Sequence, residues 1–233
     1  MNFDDAIIYP NQPGASHLHT YFGAKGVNAY STPSSLMGTA AATCRGGTVN
    51  RSGYWVPSMV DTRDGRPIGA TRMIVYYKTG YWGVTPSQVQ AMPQGLRMLG
   101  GVASSRTPQR LDVSHYVCSS DNIQHSGVPT YCPVGATVDQ IIRFPQCWDG
   151  RNFDSADHSS HMSYPVPNYP YGCPSTHPVL MTEVQLTVTT LIMAGVESLS
   201  GFLNMFALNL ADFPEARREL VANPALIPDA IEE

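Results

Sequence analysis

Two histidines stand two residues apart near the start of the chain, within residues 16–20 (SHLHT). Residues two apart on an extended strand face the same side, so we expect His17 and His19 to project together while Leu18 turns to the core. Paired imidazoles suit proton transfer, and they also suit a divalent metal ion at the histidine cluster. The alternative is that both rings only hydrogen-bond a supporting loop.

A second polar cluster follows Trp148, in residues 149–161 of a chain with only 14% charged residues. Loops anchored on a rigid scaffold often carry binding and catalytic residues. The cluster therefore predicts a site lined by Asp149, Asp157, His158 and His161. Asp149 would act as general acid or base, with the histidines as proton carriers or metal ligands. The alternative is an ordinary Asp149-Gly150 turn, with Asp154 and Asp157 capping the loop.

These two groups are predicted to meet in one cleft. We expect His17, His19 and Asp149 to converge there with at least one of His158 and His161. Aromatic side chains set among amides and hydroxyls suit sugar rings, which offer both apolar faces and hydroxyl groups. The predicted glycan-binding residues are Tyr54, Trp55, Trp82 and Trp148. The alternative places such aromatics in the core and in cross-strand pairs.

Five cysteines occur, and none forms a CxxC pair. The spacing of the last four predicts two local disulfides, Cys118–Cys132 and Cys147–Cys173, each closing a polar, proline-rich loop. Disulfides of this kind belong to oxidising compartments. Five free thiols in a cytosolic protein are the alternative. Cys44, the remaining cysteine, is expected to be buried and unpaired.

Composition excludes several classes of function. The formal net charge is −4 and no run of basic residues occurs, so nucleic acid is not expected as a partner. No apolar stretch is long enough for a membrane span. The first residues, MNFDD, lack a signal-peptide pattern, which predicts either a removed leader or another route outside, such as release of virus particles by lysis. Common hydrolase, nucleotide and metalloprotease motifs are absent.

Short segments rich in β-branched and aromatic residues predict strands at 72–77, 140–144 and 182–192. In the last of these, apolar residues alternate with Gln185, Thr187 and Thr189, as in a half-buried strand. We therefore expect a mainly β fold, a β-sandwich or jelly-roll-like single domain with long loops, over residues 1–200. Residues 201–233 are predicted to form a short helical C-terminal appendage.

Several motifs follow one another over about residues 4 to 190. They are 16–19 (SHLH), 52–57 (SGYWVP), 93–98 (PQGLRM), 144–150 (FPQCWDG), 157–162 (DHSSHM) and 173–174 (CP). Together they resemble the family catalogued as a domain of unknown function, DUF1996. The resemblance implies a secreted protein that works on polysaccharide or cell-wall material, because members often stand beside carbohydrate-binding modules. The family pattern ends with a histidine where this chain has Leu210, which predicts weak or no turnover on a retained scaffold.

The leading functional hypothesis is an extracellular-type glycan- or cell-wall-interacting domain, acting as a hydrolase or lyase if it is an enzyme. The alternative is a non-catalytic structural or host-adhesion protein of a bacteriophage particle, such as a decoration or tail protein. In that case the C-terminal helix would contact other virion proteins, and the protein would lie on the surface of the virus particle.

Overall fold

A computed structural model describes residues 1–61, 64–79, 85–166 and 172–191, together with Arg218 and Ala222. The strands in chain order are β1 (His19–Gly23), β2 (Gly53–Pro57), β3 (Arg72–Lys78), β4 (Ser114–Cys118), β5 (Gln124–His125), β6 (Thr137–Arg143), β7 (Cys147–Trp148), β8 (Met162–Ser163), β9 (Val179–Leu180) and β10 (Glu183–Leu191). One short helix, α1 (Pro33–Met37), and two 3₁₀ turns (Gly47–Val49 and Pro86–Gln88) complete the described elements.

The strands form three antiparallel sheets, with the orders β1-β2, β3-β10-β6-β4-β5 and β8-β7-β9. They all lie in one compact unit, Met1–Cys132 with Ala136–Leu191. The predicted mainly β fold is therefore confirmed. The predicted helical appendage, residues 201–233, lies outside the described residues except at Arg218 and Ala222.

The three predicted strands correspond to β3, β6 and β10. One detail of β10 was wrong, because Gln185, Thr187 and Thr189 do not face solvent and each is at most 8% exposed. The strand lies between β3 and β6, and side chains from both neighbours contact Gln185. Lys78 Nζ and Arg143 Nε both donate to Gln185 Oε1, at 2.6 and 3.2 Å. The alternation of residues along one strand cannot show burial by side chains of the neighbouring strands.

The core lies between the two-stranded and the five-stranded sheets. Its buried members are Val56 of β2, Ile142 of β6, and Leu186 and Val188 of β10. Phe22 and Tyr54 pack against this cluster from β1 and β2. Because successive strand residues alternate in direction, His19, Tyr21 and Trp55 belong to the opposite, outer face of the small sheet. One face of β1 and β2 thus builds the core, and the other presents imidazole and aromatic rings.

Both predicted disulfides are present. Cys118 at the end of β4 bonds to Cys132, and Cys147 of β7 bonds to Cys173, with Cα–Cα distances of 5.8 and 5.3 Å. Cys44 is unpaired, as predicted, but it is half-buried and not buried. Two disulfides are compatible with an extracellular protein. In the part of the chain that the structure describes, no helix is long and apolar enough to span a membrane.

Candidate functional site

His17 and His19 project to the same side, as their spacing predicts, with ring centroids 4.4 Å apart. His17 is exposed, whereas His19 is only 3% exposed. Nδ1 of His19 donates to the carbonyl oxygen of Asp4 at 2.9 Å, so Nε2 is left as an acceptor. Burial lowers the pKa of His19, against an opposing effect of the Asp4 hydrogen bond. His19 is therefore held as a neutral ring with a fixed tautomer.

The outer face continues from these histidines to Tyr21 and Trp55, which lie opposite each other in the β1–β2 pair. Their ring centroids are 5.8 Å apart. Trp55 Nε1 donates to Oδ2 of the buried Asp5 at 3.0 Å, and the Tyr21 hydroxyl donates to the Asp4 carbonyl. Burial and the nearby charges of Asp5 and Asp4 raise the pKa of Tyr21. Both rings are thus fixed by the N-terminal segment.

Of the other predicted glycan-binding aromatics, Tyr54 does not extend this face. Tyr54 turns inward to the core, and its hydroxyl contacts that of Tyr77. Asn50 Nδ2 donates to both of these hydroxyl oxygens, at 2.9 Å each. Tyr54 and Trp55 therefore occupy opposite faces of one strand. Trp82 lies outside the described residues, and Trp148 belongs to the small sheet containing β7.

Asp149 organises the turn that follows Trp148. Its Oδ1 accepts from the backbone N–H groups of Arg151 and Asn152 at 2.8 and 2.9 Å, and its Oδ2 accepts from the Asn152 amide at 2.6 Å. Gly150 has a φ of 78°, a left-handed conformation that a glycine adopts readily. Partial burial acts to raise the pKa of Asp149, but the hydrogen bonds from Asn152 and Arg151 outweigh it and lower that pKa. This geometry favours the turn alternative over a general base.

Asp157 has a comparable structural role in the next turn, where its carboxylate accepts hydrogen bonds from the backbone. Its Oδ1 accepts from the backbone N–H groups of Ser159 and Ser160, at 3.1 and 2.8 Å, and from the Ser155 hydroxyl at 2.7 Å. These hydrogen bonds, the one from the Ser160 backbone first, lower the pKa of Asp157 strongly. Every contact is local to the loop. Asp157 therefore caps the turn that contains His158.

His158 pairs with Asp154. Its Nδ1 donates to Asp154 Oδ1 at 2.8 Å, and Arg97 Nη1 donates to Asp154 Oδ2 at 2.8 Å. Burial acts to raise the pKa of Asp154, but the hydrogen bonds from His158 and Arg97 outweigh it and lower that pKa. Nε2 of His158 has no hydrogen-bond partner among the described residues. The arrangement is an arginine-anchored carboxylate that orients an imidazole.

The backbone of His158 adds a second unusual feature. Its φ is 56°, in the left-handed region that few residues other than glycine adopt. Such conformations cluster at binding and catalytic sites, where the surrounding structure holds them in place. Here the Asp154 contact and the Asp157 turn provide that support. The side chain of His158 stays 22% exposed.

His161 is buried beneath this pair, at 1% exposure. Its Nε2 donates to the Arg97 carbonyl at 2.7 Å, and its Nδ1 lies 2.9 Å from the Ser155 hydroxyl. The backbone N–H of Arg97 in turn donates to the Phe153 carbonyl at 3.0 Å. His161 thus fixes the Arg97 segment against the loop. Both ring nitrogens of His161 are in hydrogen-bond contact with the protein. His161 is therefore a structural support and not a solvent-accessible group.

Aromatic and histidine contacts complete the loop. The rings of Trp148 and Phe153 lie 5.7 Å apart, and Trp148 Nε1 donates to the Asn152 carbonyl at 2.6 Å. Phe153 is 45% exposed, directly before Asp154 in the chain. His177 Nε2 donates to the Ser160 carbonyl at 2.9 Å. An aromatic pair with one exposed ring, that of Phe153, therefore directly precedes the Asp154–His158 pair in the chain.

The predicted site residues form two groups. One contains His17 and His19, and the other contains Asp149, Asp157, His158 and His161. Between the described residues of the two groups, no hydrogen bond, ion pair or ring contact occurs, and their meeting in one cleft stays a prediction. No group of three or more His, Cys, Asp or Glu side chains that could hold a metal ion occurs in the described ranges.

Sequence reasoning missed two members of the second group. Arg97 is 57 residues before Asp154, and nothing in its surroundings signals this partner. Asp154 was assigned only to loop capping, although its distance of four residues from His158 is a usable signal. Asp154 is the carboxylate that orients His158. Neither Asp149 nor Asp157 has that role.

The fold and site define a mainly β, disulfide-bonded domain with a histidine–aspartate pair on a loop. The chain belongs to the family described as "Domain of unknown function (DUF1996)", whose model matches residues 5–195. The resemblance drawn from the motifs is thereby confirmed. Comparison with curated proteins and with solved structures gives no match. The departure at Leu210 lies beyond both the matched and the described residues.

Proposed function

We propose that this protein is an extracellular glycan-interacting domain in which Nε2 of His158 transfers protons. The observation that carries the proposal is the chain of contacts from Arg97 to Asp154 to His158. A carboxylate that accepts from Nδ1 of an imidazole fixes its tautomer and stabilises the imidazolium that forms when Nε2 takes a proton. Histidine suits this role because its charge changes near neutral pH.

The surrounding carboxylates support a histidine base over a two-carboxylate mechanism. Glycoside hydrolysis by paired carboxyl groups needs one acid whose pKa is raised. The pKa values of Asp149, Asp154 and Asp157 are all lowered by hydrogen bonds, which outweigh the effect of burial where it opposes them. Each of these groups is an ionised acceptor and a poor proton donor. The proton-transfer role that the sequence assigned to Asp149 is therefore proposed for His158.

Two reactions fit a single histidine base. In hydrolysis, Nε2 takes a proton from the attacking water, and the imidazolium returns it to the leaving oxygen. In a lyase reaction, Nε2 takes a proton from a sugar carbon, the C–O bond on the neighbouring carbon breaks as a C=C bond forms, and the leaving oxygen takes the proton back from the imidazolium. The glycan assignment is supported by the exposed Phe153, whose ring contacts the half-buried Trp148, since exposed aromatic faces pack against sugar rings.

The test uses the full chain with insoluble bacterial and fungal wall material and with soluble polysaccharides. Bound protein, reducing ends and the ultraviolet absorbance of a new C=C bond are measured for the wild type, His158→Ala and the control His125→Gln, which lies on β5. We expect binding by all three proteins, and product from the wild type and the control only. Binding without product would overturn the proton-transfer role, and absence of both would overturn the glycan assignment.

The phage-particle alternative was based on the start of the chain and on residues 201–233. No contact within the described residues favours it over the glycan proposal. A purely architectural role would instead follow if neither binding nor product were found.

A further inference from the structure

The histidine pair at the start of β1 is separate from the contacts that carry the glycan proposal. His17 lies two residues before the strand, and His19 is its first residue. His17 and His19 stand side by side, with ring centroids 4.4 Å apart and ring planes at 52°. A loop-supporting role would engage the ring nitrogens with the protein. Only Nδ1 of His19 has such a hydrogen bond among the described residues, at 2.9 Å to the Asp4 carbonyl.

That hydrogen bond is the kind that prepares a histidine for metal binding. A histidine that binds a metal almost always donates its other ring N–H to a carbonyl or carboxylate, which fixes the tautomer and the ring orientation. The Asp4 carbonyl does this for His19, and Nε2 is left with its lone pair. The exposed ring of His17 stands beside the buried ring of His19.

We propose that His17 and His19 together bind one divalent transition-metal ion, with Nε2 of His19 and one ring nitrogen of His17 as its two protein ligands. Imidazole nitrogens suit copper, zinc and nickel, whereas calcium and magnesium prefer oxygen ligands. The described residues offer no third His, Cys, Asp or Glu ligand here, so the remaining positions belong to water or to an oxygen or nitrogen ligand from solution. His17 is the exposed ligand of the pair, and His19 is the buried one.

The experiment titrates the chelator-treated full chain with Cu²⁺, Zn²⁺ and Mg²⁺ in separate calorimetric runs. We expect one Cu²⁺ per chain, weaker binding of Zn²⁺ and no binding of Mg²⁺, following the general order of affinity for nitrogen ligands. Electron paramagnetic resonance of the copper form should show coupling to two imidazole nitrogens.

Two variants separate ligand loss from misfolding. His17→Gln changes an exposed residue, and His19→Asn removes Nε2 while its amide can still donate to the Asp4 carbonyl. We expect each to weaken Cu²⁺ binding by about tenfold or more, equivalent to about 1.4 kcal/mol, with an unchanged circular dichroism spectrum. His125→Gln should bind as the wild type does.

Three results would overturn the proposal: no stoichiometric copper binding, unchanged affinity in both site variants, or an equal loss in His125→Gln. Since none of these measurements uses a glycan, the outcome is independent of the proton-transfer test at His158.

Discussion

Asp154 and His158, four residues apart in one loop, share a 2.8 Å hydrogen bond from Nδ1 to Oδ1, and Arg97 holds the other carboxylate oxygen. The bond selects the Nδ1–H tautomer of a neutral His158. Asp154→Asn replaces this oriented acceptor with an amide. We expect the tautomer to shift toward Nε2–H in the variant, which long-range ¹H–¹⁵N spectra of the imidazole can show.

The same substitution should slow any proton-transfer reaction by about 10²- to 10⁴-fold, the usual range for an acid–base group. Asp121→Asn is the matched control, since Asp121 pairs with His125 outside the site loop. If Asp154→Asn keeps the Nδ1–H tautomer, the orienting role of Asp154 is wrong. If the tautomer shifts but the rate does not, His158 is not the base.

The left-handed backbone at His158 gives a prediction for stability. Glycine adopts a φ of 56° without steric cost, whereas a Cβ atom is disfavoured there. We expect His158→Gly to be more stable than His158→Ala by up to about 1 kcal/mol, the reverse of their order in an ordinary extended segment. Urea unfolding of both variants measures the difference. A more stable alanine variant would show that the loop relaxes to a negative φ.

The two disulfides should contribute comparably to stability but differently to the site. They join residues 14 and 26 positions apart, and each should stabilise the fold by on the order of 3 kcal/mol. The pair Cys147→Ser and Cys173→Ser should also disturb the Asp149 turn, which begins two residues after Cys147. The pair Cys118→Ser and Cys132→Ser serves as its control. Equal perturbation of the His158 ring signals in both double variants would contradict this difference.

Local sequence patterns predicted the features whose geometry depends on residues that are close together in the chain. The alternation of a strand placed His17 and His19 side by side, and loop-sized spacing paired the four disulfide cysteines. The sequence also predicted a turn at Asp149-Gly150, as the alternative to a catalytic role for Asp149. In each case a few consecutive residues determine the geometry.

Distant pairing could not be predicted in the same way. Arg97 reaches Asp154 only because the folded chain brings their segments together, and His161 and Phe153 anchor that contact through the Arg97 backbone. The burial of Gln185 depends on side chains from two neighbouring strands. Composition likewise gave no sign that Tyr54 faces the core, since its neighbour Trp55 is equally aromatic.

His161 should behave as a structural residue. His161→Phe keeps an aromatic ring in the buried position but leaves the Arg97 carbonyl and the Ser155 hydroxyl without their ring partner. An unsatisfied buried polar group costs about 1–3 kcal/mol, and we expect a loss of that order in urea unfolding. His17→Phe, at an exposed position, should leave the stability nearly unchanged. Equal stability of the two variants would remove the support role.

His115 should make the stability of the fold depend on pH, in a range above the one in which the carboxylates of the chain titrate. It is 3% exposed, and its Nδ1 donates to the Leu111 carbonyl at 2.6 Å. Burial lowers its pKa, the hydrogen bond to Leu111 opposes this, and the charge of Arg143 lowers the pKa further. In the unfolded chain the same ring protonates near its ordinary pKa of about 6.5.

Below that pH the unfolded state therefore binds a proton that the folded state does not, and stability falls as the pH decreases toward the folded pKa. Burial also lowers the pKa of His19, which adds a loss of stability over the same pH range. The lowered pKa values of Asp149, Asp154 and Asp157 add a further loss only below their ordinary range, near pH 4. His115→Asn should lose less stability than the wild type between pH 7 and pH 5, because its amide donates to Leu111 without titrating. Urea unfolding at half-unit pH steps measures both slopes, and an equal or steeper slope in the variant would show that His115 does not carry this dependence.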